Sequence, residues 1–171
     1  MSDQAYDSAK NDLDTIAKAF GFVVIQWGQA EQSLDLIVAL LWHSFEGKQH
    51  ARKIPFMLEP KVAFLRKCFA SLEALHPLKG DADFLLKEFE RLSALRHDLI
   101  HGAIASLAPV DGHFVLSKLD VREGYHHVRE VRIAITAYPQ LVTELVALGR
   151  RSHELGTKIF DFVKNAEDAA K

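Results

Sequence analysis

At 171 residues, with 49% hydrophobic and 26% charged side chains, the chain has the length and composition of one globular domain with a sizeable core. A formal net charge of −2 excludes a broad basic field, so any nucleic-acid contact is expected in a cleft and not over a surface. The lone cysteine, Cys68, excludes an intramolecular disulfide; the polar start Met1-Ser2-Asp3-Gln4 is unlike a secretory signal, and the most apolar run, Leu34 to Trp42, holds Asp35 and is too short for a bilayer, so a cytoplasmic protein with no membrane segment is expected.

Residues 1–11 are polar and read as loose or as a short first helix. From Leu13 to Phe45, Ile16, Phe20, Val23, Trp27, Ala30, Leu34, Ile37 and Leu41 recur at steps of four and three, which predicts an amphipathic helix. Val24, Glu31 and Val38 form a neighbouring row in which Glu31 is the odd acid. Gly47 to Pro60 reads as a connector with a basic cluster, Lys48, His50, Arg52 and Lys53. A second helix is predicted from Pro60 to Leu75, with Val62, Leu65, Phe69, Leu72 and Leu75 inward. A third, capped by Asp81 or Asp83, carries Leu85, Phe89, Leu92, Leu95 and Leu99 and ends at Gly102.

The period then shortens. Residues 103–108, 113–119 and 125–132 partly alternate, separated by Asp111-Gly112 and Glu123-Gly124, which predicts a β-hairpin or a three-stranded meander. A last helix is predicted from Tyr138 to Lys164, on the stripe Leu141, Leu145, Leu148, Ser152, Leu155, Ile159 and Phe162. The expected fold is mainly α: a four-helix bundle with a small β insertion at about 103–132 before its last helix. It is read as a single domain over 1–171, with frayed ends at about 1–11 and 165–171.

The third helix closes on Leu95-Arg96-His97-Asp98-Leu99-Ile100-His101-Gly102. Arg96 is a permanent cation whose planar fork suits phosphate oxygens. His101 can exchange a proton near neutral pH. Together they are the minimum equipment for cleaving RNA without a metal, with the ribose 2′-hydroxyl as nucleophile.

Arg96 to His101 reads R-x4-H, with a polar residue after the arginine and a glycine after the histidine. In a helical chain this resembles the HEPN superfamily (higher eukaryotes and prokaryotes nucleotide-binding domain), over roughly residues 12–102 and 138–165. The resemblance implies a HEPN-type bundle that forms a homodimer, in which two such motifs meet in one cleft. It implies a metal-independent endoribonuclease without cofactor, with Arg96 and His101 catalytic; beside them, His97, Asp98 and Glu31 read from their positions as supporting residues. A toxin or phage-defence role, with a cognate antitoxin protein such as a nucleotidyltransferase, follows from the same resemblance. The alternative is a non-catalytic HEPN-like dimer that binds a nucleotide or a partner protein. A third reading is a generic helical dimer in which the motif is chance.

Each candidate has a plainer role beside the catalytic one. His101 could simply face the helix dipole and the last carbonyls. Arg96 could pair with Glu31 or Asp98, and Glu31 could orient Arg96 or lie at the edge of the core. His97 and Asp98 could position His101 or be solvated. His97 and His101 also have the i,i+4 spacing of a zinc pair, but no third ligand and no H-E-x-x-H motif accompany them, so no metal is expected. Residues five apart on a regular helix are separated by roughly 140°. Either the helix breaks near Gly102, or Arg96 of one copy works with His101 of another. Cys68 sits beside Phe69 on an apolar stripe and reads as a buried small hydrophobe.

Overall fold

The structure is a computed structural model that describes residues 3–106, 109–122 and 124–169. Four helices carry it: α1 (Asp3–Ser44), α2 (Leu58–Ser71), α3 (Lys79–His101) and α4 (Tyr138–Ala169). Between α3 and α4 lie three strands, β1 (Ala103–Ile104), β2 (His113–Arg122) and β3 (Tyr125–Ala134). They form one antiparallel sheet in the order β1-β2-β3. The mainly α class and the three-stranded form of the insertion match the expectation.

The ends and boundaries differ from it. The first helix begins at Asp3, not near Leu13, because its early residues, Ala5 and Ala9 among them, favour helix and no glycine or proline precedes Gly21. The last helix continues to Ala169 through the expected frayed stretch. The second stops at Ser71, and a 3-10 turn, Glu73–Leu78, carries the chain past Pro77 into α3. Asp81 therefore lies in the first turn of α3 and is not its cap. Residues 107–108 and Glu123, at the end of the expected first strand and in the second turn, lie outside the described residues.

The chain reads as one domain, yet its contacts divide it into two compact units: Met1–Trp27 with Arg91–Leu145, and Gly28–Glu90 with Val146–Lys171. In the first, Ile16, Val23, Trp27, Leu92, Leu99, Leu141 and Leu145 are buried, together with Phe114, Leu116 and Ile133 from the sheet. Phe20 meets Phe114 edge-on, with centroids 6.5 Å apart, and Tyr138 donates its hydroxyl to the Ala19 carbonyl at 3.0 Å. The Asp111-Gly112 turn has positive φ at both residues, 48° and 73°. Val110 and His113 exchange two 2.9 Å backbone hydrogen bonds across it, the geometry that a two-residue turn needs to match strand twist.

In the second unit, Leu34, Ile37, Leu41, Leu65, Phe69, Leu85, Leu86, Phe89, Leu148, Leu155 and Ile159 are buried, with Cys68 fully enclosed. Burial pushes the Cys68 thiol up to about 12, which leaves it inert as a nucleophile. Phe162 points outward and Val163 takes its expected place. The basic side chains Lys48, Arg52 and Lys53 are solvated.

The same unit holds a buried lysine, Lys61 of α2, 2% exposed. Its ammonium lies 2.5 Å from Asp35 and 3.4 Å from Glu31. Both carboxylates keep solvent contact, so the pair is anchored more by the lysine stem than by charge. Lys61→Ala should therefore cost about 2 kcal/mol, while Lys61→Met, which keeps the stem, should cost less than about 1 kcal/mol. Urea unfolding of both variants checks this, and equal losses would show that the charge dominates.

Candidate functional site

The motif occupies the last two turns of α3, in the first unit. The helix runs unbroken through Arg96 and His101, and the expected break near Gly102 falls just beyond His101. It ends immediately after, at Gly102, whose amide donates to the Asp98 carbonyl at 2.9 Å. A Cβ at Gly102 would sit 2.7 Å from that carbonyl oxygen and 3.0 Å from Leu116 Cβ. Glycine is needed here for close approach of the helix end to β2.

Arg96 is half-buried, with its guanidinium carbon 5.9 Å from the centroid of the Trp27 ring. That is within reach of a cation–π contact with a buried indole. Its Nε is buried without a hydrogen-bond partner. Of the partners expected for it, Asp98 binds Lys118 and Arg129, and Glu31 meets Lys61 within the second unit.

Asp98 is the anchor of a half-buried charge network. Its Oδ1 accepts from Lys118 Nζ of β2 at 2.5 Å and from Arg129 of β3 at 2.6 Å. Arg129 donates a further 2.8 Å bond to Asp120. Lys118 and Arg129 are directly paired across the two strands, and Asp120 pairs with His127. One face of the hairpin thus carries Lys118, Asp120 and Arg129 toward the end of α3. Burial pushes the Asp98 carboxyl up, but the hydrogen bonds from Arg129 and Lys118 outweigh it and hold the group below its ordinary value.

His97 and His101 are exposed and lie side by side, their ring centroids 4.5 Å apart and the planes inclined by 54°. Partial desolvation, then the Lys118 charge and the His101 ring, lower His97 below its ordinary value, with Asp98 opposing. The shift favours the neutral imidazole, the form that can accept a proton.

The structure thus brings His97, His101 and the Asp98 network together at one helix end, with Arg96 on the same two turns against Trp27. Two cations, Lys118 and Arg129, were not among the candidates from sequence. Their signal was alternation: Lys118 continues the inward row Phe114, Leu116, and a lysine on a buried strand face requires an acid opposite.

Asp98→Ala leaves the 8% exposed Lys118 without its acceptor, so it should cost about 3 kcal/mol at neutral pH. Because the folded carboxyl titrates below its ordinary 3.8, the unfolded chain binds the extra proton first as pH falls. The stabilisation is complete above 3.8 and is lost as pH drops through the folded value, so the variant should have a flatter stability curve below about pH 4. Denaturant melts from neutral to acid pH test both statements, and wild-type-like acid sensitivity in the variant would refute the second. Comparison of the chain with protein-family models, with curated proteins and with solved structures gives no match, so the functional reading rests on this geometry.

Proposed function

We propose that the protein is a metal-independent endoribonuclease of HEPN type that acts as a homodimer. The observation that carries the reading is Arg96. Among the described residues it forms no ion pair, yet it is held in place by Trp27 on the same two helical turns as an exposed histidine pair. A cation kept beside histidines without a carboxylate to neutralise it suits a phosphate diester.

Along the continuous helix, Arg96 and His101 diverge by roughly 140°. One chain does not aim both at a single phosphorus, so Arg96 of one copy works with His101 of the second. In the reaction, the 2′-oxygen bonds to phosphorus as the bond to the 5′-oxygen breaks. His101 takes the 2′-hydroxyl proton or gives one to the departing 5′-oxygen, and Arg96 stabilises the charge that builds on the phosphoryl oxygens. The products are a 2′,3′-cyclic phosphate and a 5′-hydroxyl. Such an activity needs restraint in a cell, which fits a toxin or phage-defence effector held by an antitoxin protein. No described helix is long and apolar enough to cross a membrane, and the substrate is met in the cytoplasm.

A second reading, a non-catalytic module that binds a nucleotide or a partner protein, draws on the burial of Arg96 Nε. A guanidinium fixed on an indole is a binding post as well as a catalytic cation.

Purified protein in excess EDTA should cleave total RNA or tRNA to products with cyclic phosphate ends. Arg96→Ala and His101→Ala should each lower the rate by about 10²–10⁴-fold. Absence of cleavage by the wild type, with intact fold by circular dichroism, would move the assignment to the binding module.

A further inference from the structure

We propose that His97 and His101 form a two-imidazole clamp for an exchangeable divalent transition-metal ion of the zinc class, and that the ion, once bound, shuts off the site. The inhibitory half of this proposal rests on the ribonuclease reading; the metal site itself does not.

The geometry comes first. The two rings project from successive turns of one helix, their centroids 4.5 Å apart, and both are exposed. Neither ring makes a hydrogen bond among the described residues, and rotation about their side-chain bonds lets one nitrogen of each converge on a common ion. Zinc accepts imidazole nitrogen at about 2.0–2.1 Å, and the i,i+4 spacing on a helix is one that zinc sites use.

The electrostatics pull in two directions. Arg96, on the same helix, and Lys118, from β2, oppose a second positive charge nearby, and Arg129 of β3 adds to them. Asp98 and Asp120 absorb most of this, since Asp98 binds both Lys118 and Arg129, and Asp120 binds Arg129. Only a neutral imidazole is a ligand, so binding weakens as pH falls.

The ligand count sets the character of the site. Among the described residues, no group of three or more histidine, cysteine, aspartate or glutamate side chains is placed to hold an ion. Asp98 is committed to Lys118 and Arg129 and is not available as a third ligand. Water must complete the coordination, so the ion exchanges freely and is not structural. Nitrogen donors select zinc or copper over magnesium or calcium. With a lone pair of His101 committed to the metal, the imidazole no longer carries a proton for the 2′-hydroxyl or the leaving 5′-oxygen. A protein that needs no metal to act would then be one that a metal silences.

The test is a titration of the full chain, stripped with EDTA and dialysed, with zinc chloride alone, followed by calorimetry and by the imidazole proton resonances. Expected is one ion bound per chain through shifts of two histidines, lost in His97→Gln and in His101→Gln, kept in His153→Gln, and not displaced by excess magnesium. Circular dichroism checks that each variant keeps its helices. Unchanged binding in both site variants, or no saturable binding in the wild type, overturns the site. RNA cleavage is run in parallel with and without zinc. Binding with no cleavage under any condition keeps the metal site and sinks the ribonuclease reading with its inhibition. Cleavage that zinc leaves unaffected at saturating occupancy overturns the regulatory role.

Discussion

The carboxylate of Asp98 is the constraint on which the candidate site depends. It is a single acid on the last turns of α3 that accepts from two cations on two different strands. A lysine as buried as Lys118 is tolerated only with an acceptor at hand. The pairing therefore fixes β2 and β3 against the helix end more specifically than apolar contact would, since a one-residue slip of the strands would turn Lys118 and Arg129 to the opposite face. Gly102 serves the same docking from the backbone side, by letting β2 come close to the helix terminus. The histidines beside Asp98 share its helix end, and burial, then the Lys118 charge, lowers His97 from its ordinary value.

The helical parts of the fold were legible because burial on a helix is periodic. Of the eight positions read as the inward stripe of α1, seven are buried and Phe20 is nearly so. The Asp-Gly turn was legible because few other pairs accept positive φ at both residues. The start of α1 was missed because its polar early turns carry no stripe, only propensity. Phe162 was misplaced because the three-step and four-step choices at a helix end are equally regular; the helix buries Val163 instead.

The site was legible as a motif but not as a network. Arg96, His97, Asp98 and His101 are adjacent in sequence, and a short reading frame finds them together. The partners of Asp98 come from strands 20 and 31 residues away. A distant partner leaves no mark on local periodicity, except where it breaks one. Glu31 and Lys61 illustrate the same limit. The acid stands out among valines one heptad away and reads either as orienting Arg96 or as the edge of the core. It meets Lys61 of α2, whose own burial the sequence does not announce.

The near-neutral charge of the chain is compatible with a phosphate site once distance is considered. At physiological ionic strength, charges separated by more than about 8 Å are largely screened. The overall −2 therefore matters little within the site, where Arg96, Lys118 and Arg129 face Asp98 and Asp120. Lys118 and Arg129 are consumed by those acids, and the surplus is carried by Arg96. In the proposed reading the two halves of the chemistry have different physical origins. Charge stabilisation would come from a guanidinium near an indole, and proton transfer from imidazoles beside an acid that the strand cations hold.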